Sequence, residues 1–445
     1  MNASPRHARG FAMLIVLGII LIAAFVLVVV QTSSLGQAST GRESLARVRA
    51  QWAARAGIEA TIARLEYETQ NPNTGDAYSV YTGLSEVSRD SLEGANYRIV
   101  STAGKDQIDG PGDPGSKLNI NVATRDQLLT IEPFMTEDVA DAILDWIDED
   151  DDVREVGAEL GYYQSMPFAY LPRNAPMQSI LELELVAGVD PLDVRGEDWN
   201  LNGALDDNEN DGDVAWPPDN ADGVLDAGWS GVLTAASTGG SLFGASGEER
   251  LDLTLADASS IMTRTKVTSG QAEAILSYAQ NASNPQMRDF LRSNLQTLAQ
   301  QAAQATGGGQ QQQQVEALNT EQLSALLNEC SIGVPDPTIP GKININTCDS
   351  KLFEYLPELD STVADTLVGE RSSRSTGFLS IAEVLEIDGV TRNTAATIYD
   401  LFDVSSNVFE VTCRGVDANT GIEVELCATI DRSTLPVVIK EIYAR

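Results

Sequence analysis

From Phe11 to Val30 the chain runs for twenty residues without a charge, behind a short basic leader with Arg6, His7 and Arg9 that ends at Gly10. At about 1.5 Å per residue a helix of that length spans about 30 Å, the thickness of a bilayer's hydrocarbon core. The pattern predicts a membrane-spanning helix over 11–30, with the cationic flank on the cytoplasmic side and everything after Val30 outside. A secretory signal would have a shorter apolar core and a small-residue cleavage site, which Gln31-Thr-Ser-Ser34 does not supply. Over 31–70, Leu45, Val48, Trp52 and Ala56 recur at three- and four-residue steps, predicting that the span continues as a stem helix with those residues on its apolar face.

The period then changes. Tyr97–Thr102 alternates as a strand, and Gly104–Ile108 reads as its hairpin return, ended by the breaker-rich 109–115. Val408–Val416 and Ile422–Ile430 form a second hairpin about the turn signal 417–421, with Val437–Tyr443 a last strand. The expected fold is therefore α+β: a stem helix and a small antiparallel sheet, interrupted by a largely helical insertion. The expected divisions are a leader 1–10, a span 11–30, a stem 31–70, a first head segment 71–115, an insertion 116–405 and closing strands 406–445.

The insertion repeats internally. Lys117-Leu-Asn-Ile-Asn-Val-Ala-Thr returns as Lys342-Ile-Asn-Ile-Asn-Thr-Cys-Asp. Leu128 and Ile131 then match Phe353 and Leu356, and Val139-Ala140-Asp141 matches Val363-Ala364-Asp365. Each copy reads as an Asn-rich cap, a helix, a turn and a second helix, the Asn and Asp side chains serving as N-caps. The second copy, 342–403, resembles a helix-hairpin-helix module, continuing through Gly377–Ala395. Its phosphate-binding chemistry is largely missing: neither Glu132–Thr136 nor Pro357–Ser361 contains a glycine, and Thr391 stands where a second glycine is wanted after Gly389. An Ala/Gln-rich helix at 294–306 runs into a Gly/Gln linker at 307–314.

The leader, Gly10, Phe11 and the apolar helix together resemble a type IV pilin-like prepilin. That resemblance implies cleavage between Gly10 and Phe11 by a prepilin peptidase, and methylation of the new amino terminus. Most such subunits carry Glu at the fifth mature position, where this chain has Ile15. A carboxylate inside a bilayer costs about 2.5–3.5 kcal/mol and needs a partner, and a subunit placed first has none. The exception resembles the K-type minor pseudopilins of type II secretion systems (the general secretion pathway protein K family), which share the Asn-rich repeat. It implies a tip position on a periplasmic pseudopilus, assembly with I- and J-type minor pseudopilins, contact with other pseudopilins and the inner-membrane secretion platform, and a calcium-binding insertion. The ordinary alternatives are a single-span anchor, a membrane-tethered DNA receptor for uptake, or a minor pilin for adhesion.

Charge sharpens this. A net charge of −36 makes the exterior portion repel phosphate backbones and favour cations, so no nucleic-acid partner is expected. Asp198-Trp-Asn200-Leu-Asn202-Gly203-Ala204-Leu205-Asp206-Asp-Asn-Glu209 fits the D-x-N-x-N-G-x-L-D-x-x-E calcium-loop template. Side chains of Asp198, Asn200, Asn202, Asp206 and Glu209, with the Ala204 carbonyl, supply hard oxygen donors, while Gly203 permits the turn and Leu205 anchors the loop. Eleven acidic residues lie between Asp193 and Asp226 with Arg195 the only base. Asp219, Asp222 and Asp226 form half of a second loop, but Pro218 and Trp229 fill its first and twelfth positions. Trp199, Trp216 and Trp229 read as packing around the acidic loop.

Cys330, Cys348, Cys413 and Cys427 are disulfide candidates outside the membrane, Cys413 facing Cys427 across a hairpin, with connectivity open. The only histidine is in the leader, which excludes a His-based triad or His metal cluster, and no nucleotide-binding glycine loop occurs. The chain reads as a structural protein rather than an enzyme.

Overall fold

A computed structural model describes residues 8–103, 106–131, 135–212, 214–305 and 314–444. Helix α1, Ala8–Gln70, is continuous over 63 residues, about 95 Å of helix. The large apolar side chains from Phe11 to Val30 are exposed, and α1 is the one described helix long and apolar enough to cross a membrane.

The outer half of α1 is buried through Ala46, Ala50, Ala53, Ala54, Ile58 and Leu65. Of the expected apolar face, Leu45, Val48 and Trp52 are instead 50%, 47% and 68% exposed, while Ala56 is half-buried against the sheet core. Small side chains win that face because the helix must approach a sheet closely. A Cβ on Gly415 of the sheet would lie 2.0 Å from the Ala50 carbonyl oxygen, and one on Gly57 2.5 Å from Cys413 Sγ.

After α2 (Ser79–Glu86) come strands β1 (Arg89–Leu92), β2 (Ala95–Ala103) and β3 (Asp106–Asp109). The arms of the expected hairpin pair, Val100 with Asp109 and Thr102 with Gln107, while its turn residues 104–105 lie outside the described residues. The chain then leaves the sheet and returns after residue 405 as β10 (Val408–Asp417), β11 (Glu423–Asp431) and β12 (Val438–Ala444). The antiparallel order is β1-β2-β10-β11-β12, with β3 on β2. Gly415 pairs with Tyr97 and Cys413 with Ile99, so segments more than 300 residues apart share one sheet. The core between sheet and stem contains Ile58, Leu65, Tyr97, Ile99, Phe409, Val411 and Ile430.

The insertion has its own core, with Leu128, Ile143, Trp146, Trp229, Ile275, Leu326, Phe353, Phe378 and Phe402 among its buried members. It contains three related units, one more than the sequence comparison found. Each opens with a two-residue strand and closes with a parallel partner: β4 (Leu118–Asn119) with β5 (Leu233–Thr234), β6 (Leu251–Asp252) with β7 (Cys330–Ser331), and β8 (Ile343–Asn344) with β9 (Phe402–Asp403).

In each unit an Asx side chain accepts from the backbone N–H two residues on: Asn119 from Asn121 at 3.0 Å, Asp252 from Thr254 at 2.9 Å, Asn344 from Asn346 at 3.0 Å. In each, the preceding base donates to a carbonyl at or just before the closing strand: Lys117 to Ser230, Arg250 to Leu327 and Cys330, Lys342 to Tyr399. The middle unit was hidden because Arg250, Asp252 and Thr254 replace Lys, Asn and Asn. Asp252 keeps the turn's acceptor but has no amide donor, and Thr254 donates its hydroxyl to Asp252 at 2.7 Å where Asn121 and Asn346 reach across to Met177 and Phe378.

The asparagines of the repeat do not cap helices as expected. Asn121 accepts from Met177 N–H at 2.6 Å and donates to its carbonyl at 3.0 Å. Asn346 does the same to Phe378, at 2.7 and 3.0 Å. The caps are Thr124, Asp349 and Asp360. The paired segments extend the match: Arg173 with Glu182 and Ser179 corresponds to Arg374 with Glu383 and Ser380. Residues 132–134 of the first hairpin and 306–313 of the Gly/Gln linker lie outside the described residues.

Sheet and insertion meet at Asp113. Its Oδ2 accepts from the hydroxyls of Tyr81 (2.7 Å), Thr347 (2.6 Å) and Ser406 (2.9 Å), and its Oδ1 from Gly115 N–H (2.8 Å). One carboxylate thereby gathers α2, the third unit and the connection into β10.

Candidate metal centre

The acidic loop 198–209 closes on itself through short-range acceptors. Asp198 accepts from Asn202 and Gly203 N–H, both at 3.0 Å, which reverses the chain. That reversal puts Leu201 at φ 53° and Gly203 at φ 65°, the left-handed region in which glycine is unstrained. Glu209 reaches back across the loop, accepting from Trp199 N–H at 3.2 Å and Asp206 N–H at 3.1 Å. Asn200 and Asn202 each donate to Asp206 Oδ2 at 2.8 Å. All five side chains selected from the sequence thus converge. Ala204, between them, is fully buried, whereas Leu205 is only half-buried and anchors less than expected.

Burial pushes the Glu209 carboxyl up to about 7, helped by the charges of Asp198 and Asp206 and opposed by its two backbone donors. Burial also acts on Asp206, but Arg414 and the two asparagine amides outweigh it and hold that carboxyl below its ordinary value. Arg414 belongs to β10 and also donates to Glu425 of β11 at 2.7 Å. Thr102 of β2 donates to the Gly203 carbonyl. The loop therefore sits on the outer surface of the sheet, held by two strands. An all-oxygen donor set around a nearly buried, poorly compensated carboxylate fits a hard divalent cation.

The neighbouring loop has the same backbone. Ala221 and Gly223 have φ 54° and 80°, and Asn220 donates to Asp226 at 3.1 Å as Asn200 does to Asp206. The positions filled by Trp229 and Pro218 are compensated from outside the loop. Glu197 accepts from Asn220 and Asp226 N–H at 3.0 and 3.1 Å, the part Glu209 plays in the first loop. Asn210 accepts from Gly223 N–H at 2.9 Å, one of the parts Asp198 plays. Neither residue was evident from spacing, because each lies just outside the first loop in sequence. Asp219 is turned elsewhere, accepting from the backbone of Asp211, Gly212 and Ala221. Of the three tryptophans only Trp229 is core, 2% exposed. Trp216 is 57% exposed and meets Trp199 edge-on at 5.3 Å.

The four cysteines are buried thiols rather than disulfides. Cys427 lies opposite Thr412 and Cys413 opposite Leu426, so the two sulfurs point to opposite faces of the sheet. Cys330 sits in the β6–β7 pair, whereas Cys348 contacts the Ile345 carbonyl and Arg371. Gly10 and Phe11 lie within α1; Arg6 and His7 lie outside the described residues.

Residues 122–196 match the family model described as type II secretion system (T2SS), protein K. That stretch covers the helices of the first unit and the Met177 segment clamped by Asn121. No curated protein matches the chain. Among solved structures, a chain of the GspK-GspI-GspJ complex from the enterotoxigenic Escherichia coli type 2 secretion system aligns with TM-score 0.46 and 13% identity, over 91% of this chain and 99% of that one. Over residues 122–196, the chain is thus similar to a part of type II secretion system protein K.

Proposed function

We propose that the chain is a K-type minor pseudopilin, a structural subunit at the tip of a type II secretion pseudopilus. The protein K match over 122–196 carries this reading. It is supported by the apolar α1, which is exposed along its first half and sheet-bound along its second. On this reading a prepilin peptidase cuts between Gly10 and Phe11. The mature subunit is anchored in the inner membrane, and its head and insertion lie in the periplasm. I- and J-type minor pseudopilins are its partners, and their assembly with it starts the pseudopilus. Leu45, Val48 and Trp52, on the face of α1 turned from the sheet, offer an apolar stripe for neighbouring stem helices. The role is one of packing and nucleation, without catalysis.

Calcium belongs to the same proposal. Asp198, Asn200, Asn202, Asp206, Glu209 and the Ala204 carbonyl would hold one ion. Asp222 and Asp226, with Glu197 and Asn210, form the framework for a second. Bound ions would neutralise the acidic segment and stiffen its seat on the sheet.

The test is the mature N-terminus of protein isolated from its native membrane, with secretion measured in cells lacking the chain. Mass spectrometry showing a methylated Phe11, and secretion lost on deletion and restored by the gene, is the expected result. A chain that retains residues 1–10 beside an active prepilin peptidase, in cells that still secrete, overturns the proposal.

A further inference from the structure

The first unit contains a long detour that the third lacks. Between Ile147, the end of its second helix, and Ser179 lie residues 148–178; between Ser373 and Ser380 lie only 374–379. The detour packs by Tyr163 and Tyr170 against Trp146, with ring centroids 5.2 and 6.2 Å from it. At the polar edge of this aromatic cluster stand Asp148, Asp150 and Glu159, one carboxylate oxygen of each lying within 4.8 Å of one from each of the others.

Each carboxylate has one oxygen held by a protein donor. Asp148 Oδ2 takes Arg154, Asp150 Oδ1 takes Asp152 N–H at 2.9 Å, and Glu159 Oε2 takes Leu160 N–H at 3.3 Å. The other oxygens of Asp148 and Glu159 are buried without any hydrogen-bond partner, and Glu159 as a whole is only 2% exposed. Such orphaned acceptors are rare in folded proteins. The cation beside them is already committed: Arg154 Nη1 is shared between Asp148 and the fully buried Asp145, at 2.7 Å from the latter.

We infer that Asp148, Asp150 and Glu159 bind a calcium ion, at a site sharing no residue with the 198–209 loop. Oxygens about 2.3–2.6 Å from one calcium stand at most about 5 Å apart, so the observed spacing is that of ligands on a single coordination sphere. The donor set is all oxygen, which selects a hard cation. Asp148 caps the C-terminus of helix 137–147, where the helix dipole also favours positive charge. Without the ion, burial and the charges of Asp145 and Asp148 push the Glu159 carboxyl up to about 7, the Leu160 N–H only partly opposing them. The ion would satisfy both orphaned oxygens and staple the detour onto its helix.

The experiment is calorimetric titration of calcium into the chelator-stripped full-length chain in detergent, comparing wild type with Glu159→Gln, Asp150→Asn and, in the other loop, Asp206→Asn. Glu159→Gln is expected to remove one bound equivalent that Asp206→Asn retains. Asp150 is exposed and its loss leaves the core intact, so Asp150→Asn decides the matter if Glu159→Gln fails to fold. Asp150→Asn is expected to weaken that equivalent by about tenfold or more, as ligand loss does at carboxylate sites. Stoichiometry and affinity in Asp150→Asn within about twofold of wild type would overturn the inference, since a lost charged ligand must register in affinity.

Discussion

Arg414, in the middle strand of the sheet, donates to Asp206, a member of the acidic loop 208 residues earlier in the chain. The same guanidinium holds Glu425 of β11, so one side chain joins the head's hairpin to the insertion. The pair is partly shielded, with the Arg414 and Asp206 side chains 31% and 21% exposed. Arg414→Ala should lower stability in chelator by about 1–2 kcal/mol, the range for a half-buried charged hydrogen bond. It should also tighten calcium binding at the loop, because a competing positive charge is gone. Urea melts and a calcium titration of the variant check both directions.

A second expectation concerns the closest approach of stem and sheet. A methyl at Gly415 would sit 2.0 Å from the Ala50 carbonyl oxygen, and the obstructing atoms are backbone, which cannot step aside as a flexible side chain could. Gly415→Ala should cost about 3 kcal/mol, at the upper end of overpacking penalties. Chemical denaturation of the variant measures it, and a change under about 0.5 kcal/mol would mean that stem and sheet slide apart freely.

The Asn346 clamp is open to a similar test. Its amide satisfies the N–H and carbonyl of Phe378 and the carbonyl of Val404, and the residue is 6% exposed. Asn346→Ala leaves three backbone groups without that partner, for an expected loss of about 2–4 kcal/mol. Asn346→Asp should be no better, since the acid keeps the acceptor but loses the donor.

Asp257 gives a pH signature. Accepting from Ser260 N–H at 2.8 Å, it caps helix 258–265, and the Ser260 hydrogen bonds hold its carboxyl below the ordinary value. A depressed folded pKa contributes stability in full above the unfolded value and loses it as pH falls through the folded one. Asp257→Ala should therefore be less stable than wild type at pH 7, with the gap closing below about pH 4. Paired urea titrations at the two pH values report it, and a gap unchanged by acid would place the effect elsewhere.

Thiol chemistry tests the cysteines. Burial raises Cys330, Cys348 and Cys413 each to about 12, so native protein should not react with a thiol reagent at pH 8. Four thiols should appear in denaturant without reductant; two or none would restore a disulfide.

Local order along the chain was enough to determine much of this protein. An uninterrupted apolar run of twenty residues predicts a long helix, and alternating residues around a turn signal close a hairpin. The 198–209 template likewise prescribes its own turn, because its acceptors and donors are neighbours in sequence. Relations between distant segments were decided by the tertiary structure. Which face of α1 is buried depended on how near the sheet could come, and Gly415 with the alanines settled it against Leu45, Val48 and Trp52. The middle unit kept the acceptor of its Asx turn and its basic donor while changing residue identity, which hides a repeat from comparison by letter. Glu197 and Asn210 serve the second acidic loop from the two ends of the first, and Asp148, Asp150 and Glu159 meet only because a detour folds back on its helix. Spacing describes a cluster when its atoms are chain neighbours; packing supplies the acceptors that are not.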